Sequence, residues 1–154
     1  METLSDLLSQ ASRLLQEAPE ESLQIAQKAR NMAESAQERL SASLAGRLEG
    51  QALRLLGRHE EALTALHVAS ESAALAQDAL LENQIRIGCI DSLCVIGREE
   101  EALELAQILK ERFTALYSPV DVAKVWVNIG NIHYRRDEYP QARLCFEQAL
   151  PIFE

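Results

Sequence analysis

The chain has 154 residues, a formal net charge of −9 at pH 7 and 47% hydrophobic residues. Its length is that of one domain, and its apolar content is sufficient for a buried core. The negative charge argues against nucleic acid as a partner, because nucleic-acid binding requires basic groups that neutralise phosphates. No apolar run approaches the ~20 residues of a membrane span, so we expect no membrane partner either.

The start of the chain and the cysteines indicate the compartment. The first residues have neither the basic region nor the apolar core of a signal peptide, which predicts a cytoplasmic protein. The three cysteines, Cys89, Cys94 and Cys145, are odd in number and lack paired spacing. They therefore predict neither a disulfide framework nor a zinc site. We expect reduced, partly buried thiols, with no metal and no cofactor.

The first hairpin is predicted from signals at the starts of its two helices. Thr3 is suited to cap the first helix, with Asp6 three residues further on, as in a capping box. Pro19 suits the first turn of the second helix, and Glu20 and Glu21 favour its positive end. These signals predict both helices of the first hairpin.

The second and third hairpins are predicted from glycines and acidic residues. Gly57 and Gly97 are placed to end helices in the left-handed conformation. Asp78 is predicted to cap a helix over residues 79–96. The acidic run at residues 99–101 is interpreted as the solvated start of a helix, with a binding patch as the less favoured alternative.

The last hairpin has a start signal in Ser118, Pro119 and Asp121, with Ser as the N-cap and Pro and Asp in the first turn. Asp137 stands where the earlier turns have Gly, and Asp tolerates left-handed geometry better than most residues. Pro151 is expected to fray or stop the final helix, because proline removes a backbone donor and clashes with the preceding turn.

A 40-residue period relates the four hairpins. One set of corresponding positions holds Ser22, Ala62, Ala102 and Ala142. Each second helix carries a stripe of small and apolar residues with steps of four and three, which places them on one face. Such a face is buried only when the next hairpin covers it, so the period predicts a stack of hairpins. Its helices would have roughly 17 residues and a length of ~25 Å.

The last hairpin carries the most complete motif. Its spaced residues are Trp126, Ile129, Gly130, His133, Ala142, Phe146 and Ala149. This arrangement resembles the tetratricopeptide repeat, whose signature reads W-x2-L-G-x2-Y followed by A-x3-F. The resemblance implies an all-α fold, a right-handed α-solenoid of about four stacked antiparallel helix hairpins. HEAT and armadillo repeats have periods of about 40 to 47 residues, but the Ala-x3-Leu/Phe columns favour the tetratricopeptide repeat.

We expect one domain over residues 1–154, with repeats at approximately 3–38, 41–77, 79–117 and 119–153. The period of 40 is longer than the family's usual ~34. The sequence ends before any polar closing helix, which stacked repeats need for solubility. We therefore expect that it is the N-terminal part of a longer protein, or that its uncapped C-terminal repeat self-associates with another chain.

No residue grouping is typical of an enzyme. His59, His67 and His133 lie in different predicted elements, and the sequence has no Ser/His/Asp grouping or phosphate-binding glycine loop. His133 stands where the family has Tyr, and we interpret it as a packing residue with one hydrogen bond. The sequence therefore predicts a protein that is not an enzyme.

In the family that the chain resembles, the first helices of the hairpins line a concave groove that binds a partner peptide or helix. The resemblance places the following residues there: Arg47, Gln51, Arg54, Gln84, Ile87, Asp91, Lys124, Val127, Asn128, Asn131, Tyr134 and Arg135. Asn128 and Asn131 match positions at which family members hold a peptide backbone, since an amide can donate and accept. Basic residues make this face less acidic than the whole chain, which predicts an acidic or amphipathic partner segment. The alternative is that these are ordinary solvated side chains.

The favoured function is therefore a non-enzymatic scaffold for protein–protein interaction, with a protein or peptide as the partner. A second possibility rests on resemblance to regulatory or sensor repeat modules of larger signalling proteins. There the repeat controls a fused effector, such as a protease, kinase, nucleotide cyclase or transcription activator. A third is a structural module that assembles with itself through its uncapped end.

Overall fold

The computed structural model describes residues 2–153, and that range contains eight α-helices and no strand. The all-α class predicted from the sequence is thereby confirmed. The helices are α1 (Leu4–Leu14), α2 (Pro19–Ser35), α3 (Arg39–Leu55), α4 (His59–Leu75), α5 (Ala79–Val95), α6 (Glu99–Ala115), α7 (Pro119–Arg135) and α8 (Tyr139–Phe153).

The chain divides into two compact units, Met1–Ser92 and Leu93–Glu154, and α5 runs through the boundary. In the first unit α1 packs on α2, α2 on α3, and α3 on α4. In the second unit α6 packs on α7 and α7 on α8. Short turns make successive helices antiparallel, so each unit consists of stacked helix hairpins, as in an α-solenoid.

The turns repeat with half the period seen in the sequence. Helices α2 to α7 have equal lengths, and the helices from α2 onward begin at positions 19, 39, 59, 79, 99, 119 and 139. Each of the six turns that follow α2 to α7 contains one residue with positive φ, in the order Gln37, Gly57, Gln77, Gly97, Tyr117 and Asp137. The amide of Glu38 donates to the Ala33 carbonyl at 2.9 Å and that of Gln37 to the Glu34 carbonyl at 3.1 Å, the Schellman pattern. Turns within and between these hairpins therefore have the same backbone conformation. The residue types in the turns between hairpins do not predict this conformation.

The predicted helix starts are mostly confirmed. Thr3 and Asp6 form a reciprocal capping box, with the Asp6 amide 3.1 Å from Thr3 Oγ1 and the Thr3 amide 3.0 Å from Asp6 Oδ2. Asp78 accepts a hydrogen bond from the Leu81 amide at 3.0 Å. Ser118 precedes α7 as predicted, but its hydroxyl donates to Asp121 Oδ2 at 2.6 Å instead of accepting from the backbone.

The prediction for Pro151 is wrong, because α8 continues through this residue to Phe153. Proline removes one backbone hydrogen bond and displaces the preceding turn. Pro151 lies close to the last residue of the helix, so only the final turn is affected. A proline in this place is therefore compatible with helical geometry up to the end of the described range.

Two glycines explain how the hairpins pack closely. A Cβ atom placed on Gly50 would lie 2.5 Å from Cγ of Leu66, and one on Gly130 would lie 2.6 Å from Cε1 of Phe146. The two pairs occupy corresponding positions of the second and fourth hairpins. In each pair a glycine of the first helix leaves the space that a large side chain of the second helix fills. This is the physical basis of the Gly and Phe positions in the motif of the last hairpin.

Buried hydroxyl groups join helices of the first unit. Ser22 Oγ of α2 donates to the Ala11 carbonyl of α1 at 2.6 Å, and Ser43 Oγ of α3 donates to the Ala69 carbonyl of α4 at 2.8 Å. Both serines are fully buried. A satisfied hydroxyl is tolerated inside a core, and here it also fixes the position of one helix along another.

Turn residues with positive φ give a first prediction. Gly57 has a φ of 77° and Gln77 has a φ of 62°. Gly57→Ala is expected to lower the free energy of unfolding by about 1 kcal/mol, because a Cβ is strained in this conformation. Gln77→Gly is expected to raise it by about 0.5 kcal/mol, since relief of that strain exceeds the added flexibility of the unfolded chain. Urea unfolding followed by circular dichroism measures both, and shifts of the same sign would contradict the prediction.

Candidate functional site

A groove of about 600 Å³ lies between α1 and α3 in the first unit. These are the first helices of two successive hairpins, so corresponding residues lie side by side. Leu8 and Leu48, which occupy the same position in successive copies of the repeat, both line the groove. The complete lining consists of Leu8, Ser9, Ser12, Arg13, Leu44, Arg47, Leu48 and Gln51. Two residues of the predicted binding face, Arg47 and Gln51, are therefore brought together here.

The groove combines an apolar surface with positive charge. Leu44 is 37% exposed, a large apolar side chain open to solvent. Both charged residues of the lining, Arg13 and Arg47, are arginines, on a chain whose net charge is −9. The leucines of the lining can contact apolar side chains of a partner, and the guanidinium groups beside them can pair with its carboxylates.

Sequence reasoning missed the α1 side of this groove. The first copy matches the motif poorly, so the resemblance assigns no residue of α1 to the binding face. The signal that could have found it is the period itself, because Leu8 and Leu48 are equivalent positions of the first two copies. The position of the second hairpin that corresponds to Arg13 does not hold an arginine, so the period does not predict a role for Arg13. Only the structure shows that it lines the groove.

Four further predicted residues lie at the next pair of helices in the first unit. Arg54 of α3 and Asp91 of α5 form an ion pair, with Arg54 Nη2 3.3 Å from Asp91 Oδ2. Both side chains are partly exposed, at 29% and 33%. Gln84 and Ile87 are half-buried on α5. Because Asp91 offsets the charge of Arg54, this pair adds no net positive charge to the predicted binding face.

The predicted residues of the second unit all lie on α7. The set comprises Lys124, Val127, Asn128, Asn131, Tyr134 and Arg135. Lys124, Asn131, Tyr134 and Arg135 are exposed, whereas Val127 and Asn128 are half-buried. Asn128 Nδ2 donates to the Lys124 carbonyl at 2.9 Å, which engages one amide donor within its own helix. Tyr134 packs edge-on against Tyr139, with ring centroids 5.3 Å apart.

The acidic run at the start of α6 is engaged by arginines. Arg136 Nε donates to Glu99 at 2.5 Å and its Nη2 donates to Glu100 at 2.8 Å. Glu101 accepts two hydrogen bonds from Arg98. The side-chain hydrogen bonds to Glu99 and Glu100 raise the pKa of Arg136 above its usual range. The interpretation of this run as a helix start is confirmed, since α6 begins at Glu99 and Glu100 and Glu101 are exposed. In addition, Arg136 joins the turn after α7 to the start of α6.

The cysteines and His133 are placed as packing residues. Cys89, Cys94 and Cys145 are buried, and none of these three forms a disulfide bond. Burial raises the pKa of the Cys89 thiol to about 11 and also raises that of Cys145. A thiol with a raised pKa carries little of the reactive thiolate at neutral pH. His133 is half-buried, with Nδ1 3.4 Å from Glu138 Oε1.

Comparison with known proteins agrees with the last hairpin. The family model of the tetratricopeptide repeat matches residues 123–150, which lie in α7, α8 and the turn between them. Together with the repeated hairpins of the structure, this match confirms the family resemblance. A search of curated proteins finds no match to the chain. Within residues 2–153, none of the helices is long and apolar enough to cross a membrane.

The tetratricopeptide repeat is generally a non-enzymatic module that mediates protein–protein interaction. The repeat in the last hairpin therefore supports an interaction scaffold as the general function of this chain. The same repeat indicates proteins as the general class of partner.

Proposed function

We propose that this scaffold binds an acidic, amphipathic segment of a partner protein in the groove between α1 and α3. The observation that carries the proposal is that Arg13 and Arg47 line one groove of an acidic chain together with leucines, of which Leu44 is exposed. The leucines would bury the apolar side of the segment, and the arginines would pair with its carboxylates. A helical segment with apolar residues on one side and glutamates on the other has this chemistry.

The charge preference supplies specificity. A lysine-bearing segment with the same apolar side would place like charges against Arg13 and Arg47, which disfavours it. Ion pairs at an open groove are screened by salt. Binding is therefore expected to weaken as ionic strength rises, with the leucine contacts remaining at high salt.

The test uses two synthetic helical peptides that share a leucine face and carry either glutamates or lysines elsewhere. Fluorescence anisotropy measures their affinity for the protein. The glutamate peptide is expected to bind at least tenfold more tightly than the lysine peptide. The double variant Arg13→Glu, Arg47→Glu is expected to lose at least tenfold in affinity for the glutamate peptide.

The matched control is the double variant Lys28→Glu, Arg143→Glu, which changes net charge equally at residues whose side chains are 61% and 82% exposed. It is expected to change affinity by less than a factor of three. An equal loss in both double variants would mean that net charge, and not this groove, determines binding. A preference for the lysine peptide would overturn the proposal outright.

Two other ideas from the sequence stay predictions. Self-association would use the last hairpin, where the C-terminal turn of α8 exposes Leu150 at 58% and Phe153 at 51%. Control of a fused effector would require a further domain in a longer protein. The groove between α1 and α3 is the feature on which the proposed function rests, and it depends on neither of these.

A further inference from the structure

A second groove of about 340 Å³ lies on the first unit between α2 and α4, with α3 as its floor. Its lining residues are Gln27, Arg30, Glu49, Leu53, Glu61, Thr64, Ala65 and Val68. Glu49 and Leu53 project from the face of α3 opposite to Leu44 and Gln51, as their helical spacing requires. The two grooves therefore use opposite faces of α3, and the proposed function leaves this one unassigned.

The floor of this groove contains a buried carboxylate. Glu49 is 8% exposed, and its Oε2 accepts a hydrogen bond from Arg30 Nε at 2.7 Å. Because Glu49 lines the groove, the part of it that remains exposed opens into that space. Arg30 pairs with this carboxylate, and the surrounding protein reduces the screening of charge that water would provide.

The charges around the groove sum to a negative value. Arg30 contacts two carboxylates, those of Glu49 at 2.7 Å and Glu34 at 3.3 Å. On the opposite wall Arg58 pairs with Glu61 at 2.7 Å. Two positive and three negative groups leave one negative charge in excess. An incoming anion would have to compete with Glu34 and Glu49 for Arg30. An incoming cation would share Glu49 with Arg30 and Glu61 with Arg58, and the excess of carboxylate favours the cation over the anion.

An apolar wall adjoins these carboxylates. Leu53, Ala65 and Val68 line the same groove, and Val68 is 44% exposed. The volume is at the small end of the range of ligand pockets, ~300–1,000 Å³. The space therefore suits a short apolar stem that ends in a positive charge.

We propose that the groove between α2 and α4 binds an aliphatic amine, with its ammonium group at Glu49 and Glu61 and its stem against Leu53, Ala65 and Val68. An ammonium group has three donors and can bridge two carboxylates. Such a group occurs in small free amines and in the lysine side chain of a partner protein. The chemistry of recognition is the same for both sources.

The first experiment compares three six-carbon probes at pH 7 by two-dimensional NMR of the uniformly ¹⁵N-labelled protein. These are n-hexylamine, which is protonated because alkyl amines have pKa values near ~10, neutral n-hexanol and anionic hexanoate. We expect hexylamine to shift the amide signals of residues around Glu49, Glu61 and Val68 saturably. Its dissociation constant should be at least tenfold lower than that of hexanol. Equal binding of hexanol, or tighter binding of hexanoate, would overturn the proposal.

Variants test the roles of the carboxylates. Glu49→Gln keeps the shape of the side chain and is expected to weaken hexylamine binding at least tenfold while leaving hexanol binding unchanged. Glu61→Gln is expected to weaken hexylamine binding severalfold. Because the side chain of Glu61 is 58% exposed, this substitution does not disturb a buried residue. Glu17→Gln removes the same charge at an exposed residue outside the groove and serves as the control. An equal loss with the control, or no loss with Glu61→Gln and Glu49→Gln, would contradict the assignment.

The source of the amine is distinguished with Nα-acetyl-lysine N-methylamide, a lysine side chain in peptide-like form. Shifts at the same residues as with hexylamine would support the amine site and identify a partner's lysine as its occupant. Binding of hexylamine with no shifts from the lysine compound would support the site for free amines. Peptide binding in the groove between α1 and α3 is measured separately, so either proposal can fail without the other.

Discussion

Phe113→Ala is expected to lower the free energy of unfolding by about 3–5 kcal/mol. Phe113 is 0% exposed and is the largest of the fully buried side chains that the structure describes. It lies on α6 in the second unit. Alanine at this position removes most of a buried ring and leaves a cavity that the rigid helices around it can fill only in part.

The single tryptophan of the chain, Trp126, lies on α7 in the second unit and therefore reports on that unit directly. Urea unfolding followed by its fluorescence is expected to show a lower midpoint for Phe113→Ala. Leu144→Ala, at a leucine of the same unit that is 62% exposed, is the control and is expected to cost about 1 kcal/mol or less. If Phe113→Ala lowers the free energy of unfolding no more than Leu144→Ala does, the prediction is wrong, and the residues around Phe113 collapse into the vacated space.

Much of the fold was predictable because its determinants are local. Thr3 with Asp6 satisfies free amides at a helix start, and Gly57 and Gly97 adopt the positive φ that ends a helix without strain. Stripes of small residues at steps of four and three define a buried helix face. A reader of the sequence can recognise each of these within one or two helical turns.

The repetition of the turns at half the sequence period was not predictable in the same way. Gln37, Gln77 and Tyr117 have φ values of 57°, 62° and 56°, although their side chains do not favour that conformation. The two flanking helices impose it, because their packing fixes where the chain must reverse. Residue type therefore predicted the positive φ of the turns within the last three hairpins, where Gly or Asp stands, and did not predict that of the turns between hairpins, where Gln or Tyr stands.

The candidate site was harder to predict than the fold, because it depends on contacts between residues that are distant in the sequence. Arg136 reaches Glu99 and Glu100 from the turn after α7, whereas the acidic run read alone favours a solvated helix start. The ion pair of Arg54 with Asp91 likewise joins two different helices, α3 and α5. Charge in a sequence can be counted, but which charges cancel one another is decided by the fold.

Gly50→Ala is expected to lower the free energy of unfolding by about 1–3 kcal/mol, although alanine in a helix is intrinsically favoured over glycine by about 1 kcal/mol. The added Cβ would lie 2.5 Å from Cγ and from Cδ2 of Leu66. Cγ is a branch point close to the backbone of α4, so the side chain cannot move aside by rotating its end. Helix α3 or helix α4 must shift, and both are packed on their other sides.

Gly88→Ala provides the matched control, because its Cβ would meet the same leucine at a methyl group, Cδ1, at 3.2 Å. A methyl end can give by a few tenths of an ångström, so the gain in helix propensity is expected to leave stability unchanged or raised by up to about 1 kcal/mol. Urea unfolding followed by circular dichroism measures both variants. If Gly88→Ala costs as much as Gly50→Ala, the clash at Cγ is not the reason for the loss.

Leu66→Ala completes a double-mutant cycle and tests the packing of Gly50 against this residue. Leu66 is 1% exposed, and its truncation alone is expected to cost about 2–5 kcal/mol. In the background of Leu66→Ala the methyl group at position 50 occupies space that the leucine has vacated, so Gly50→Ala should become neutral or stabilising. The double variant is therefore expected to be more stable than the sum of the single losses predicts, by about 1–3 kcal/mol. Additive losses of stability would mean that Gly50 and Leu66 act independently. Packing of a glycine against a large side chain would then not explain these two positions of the motif.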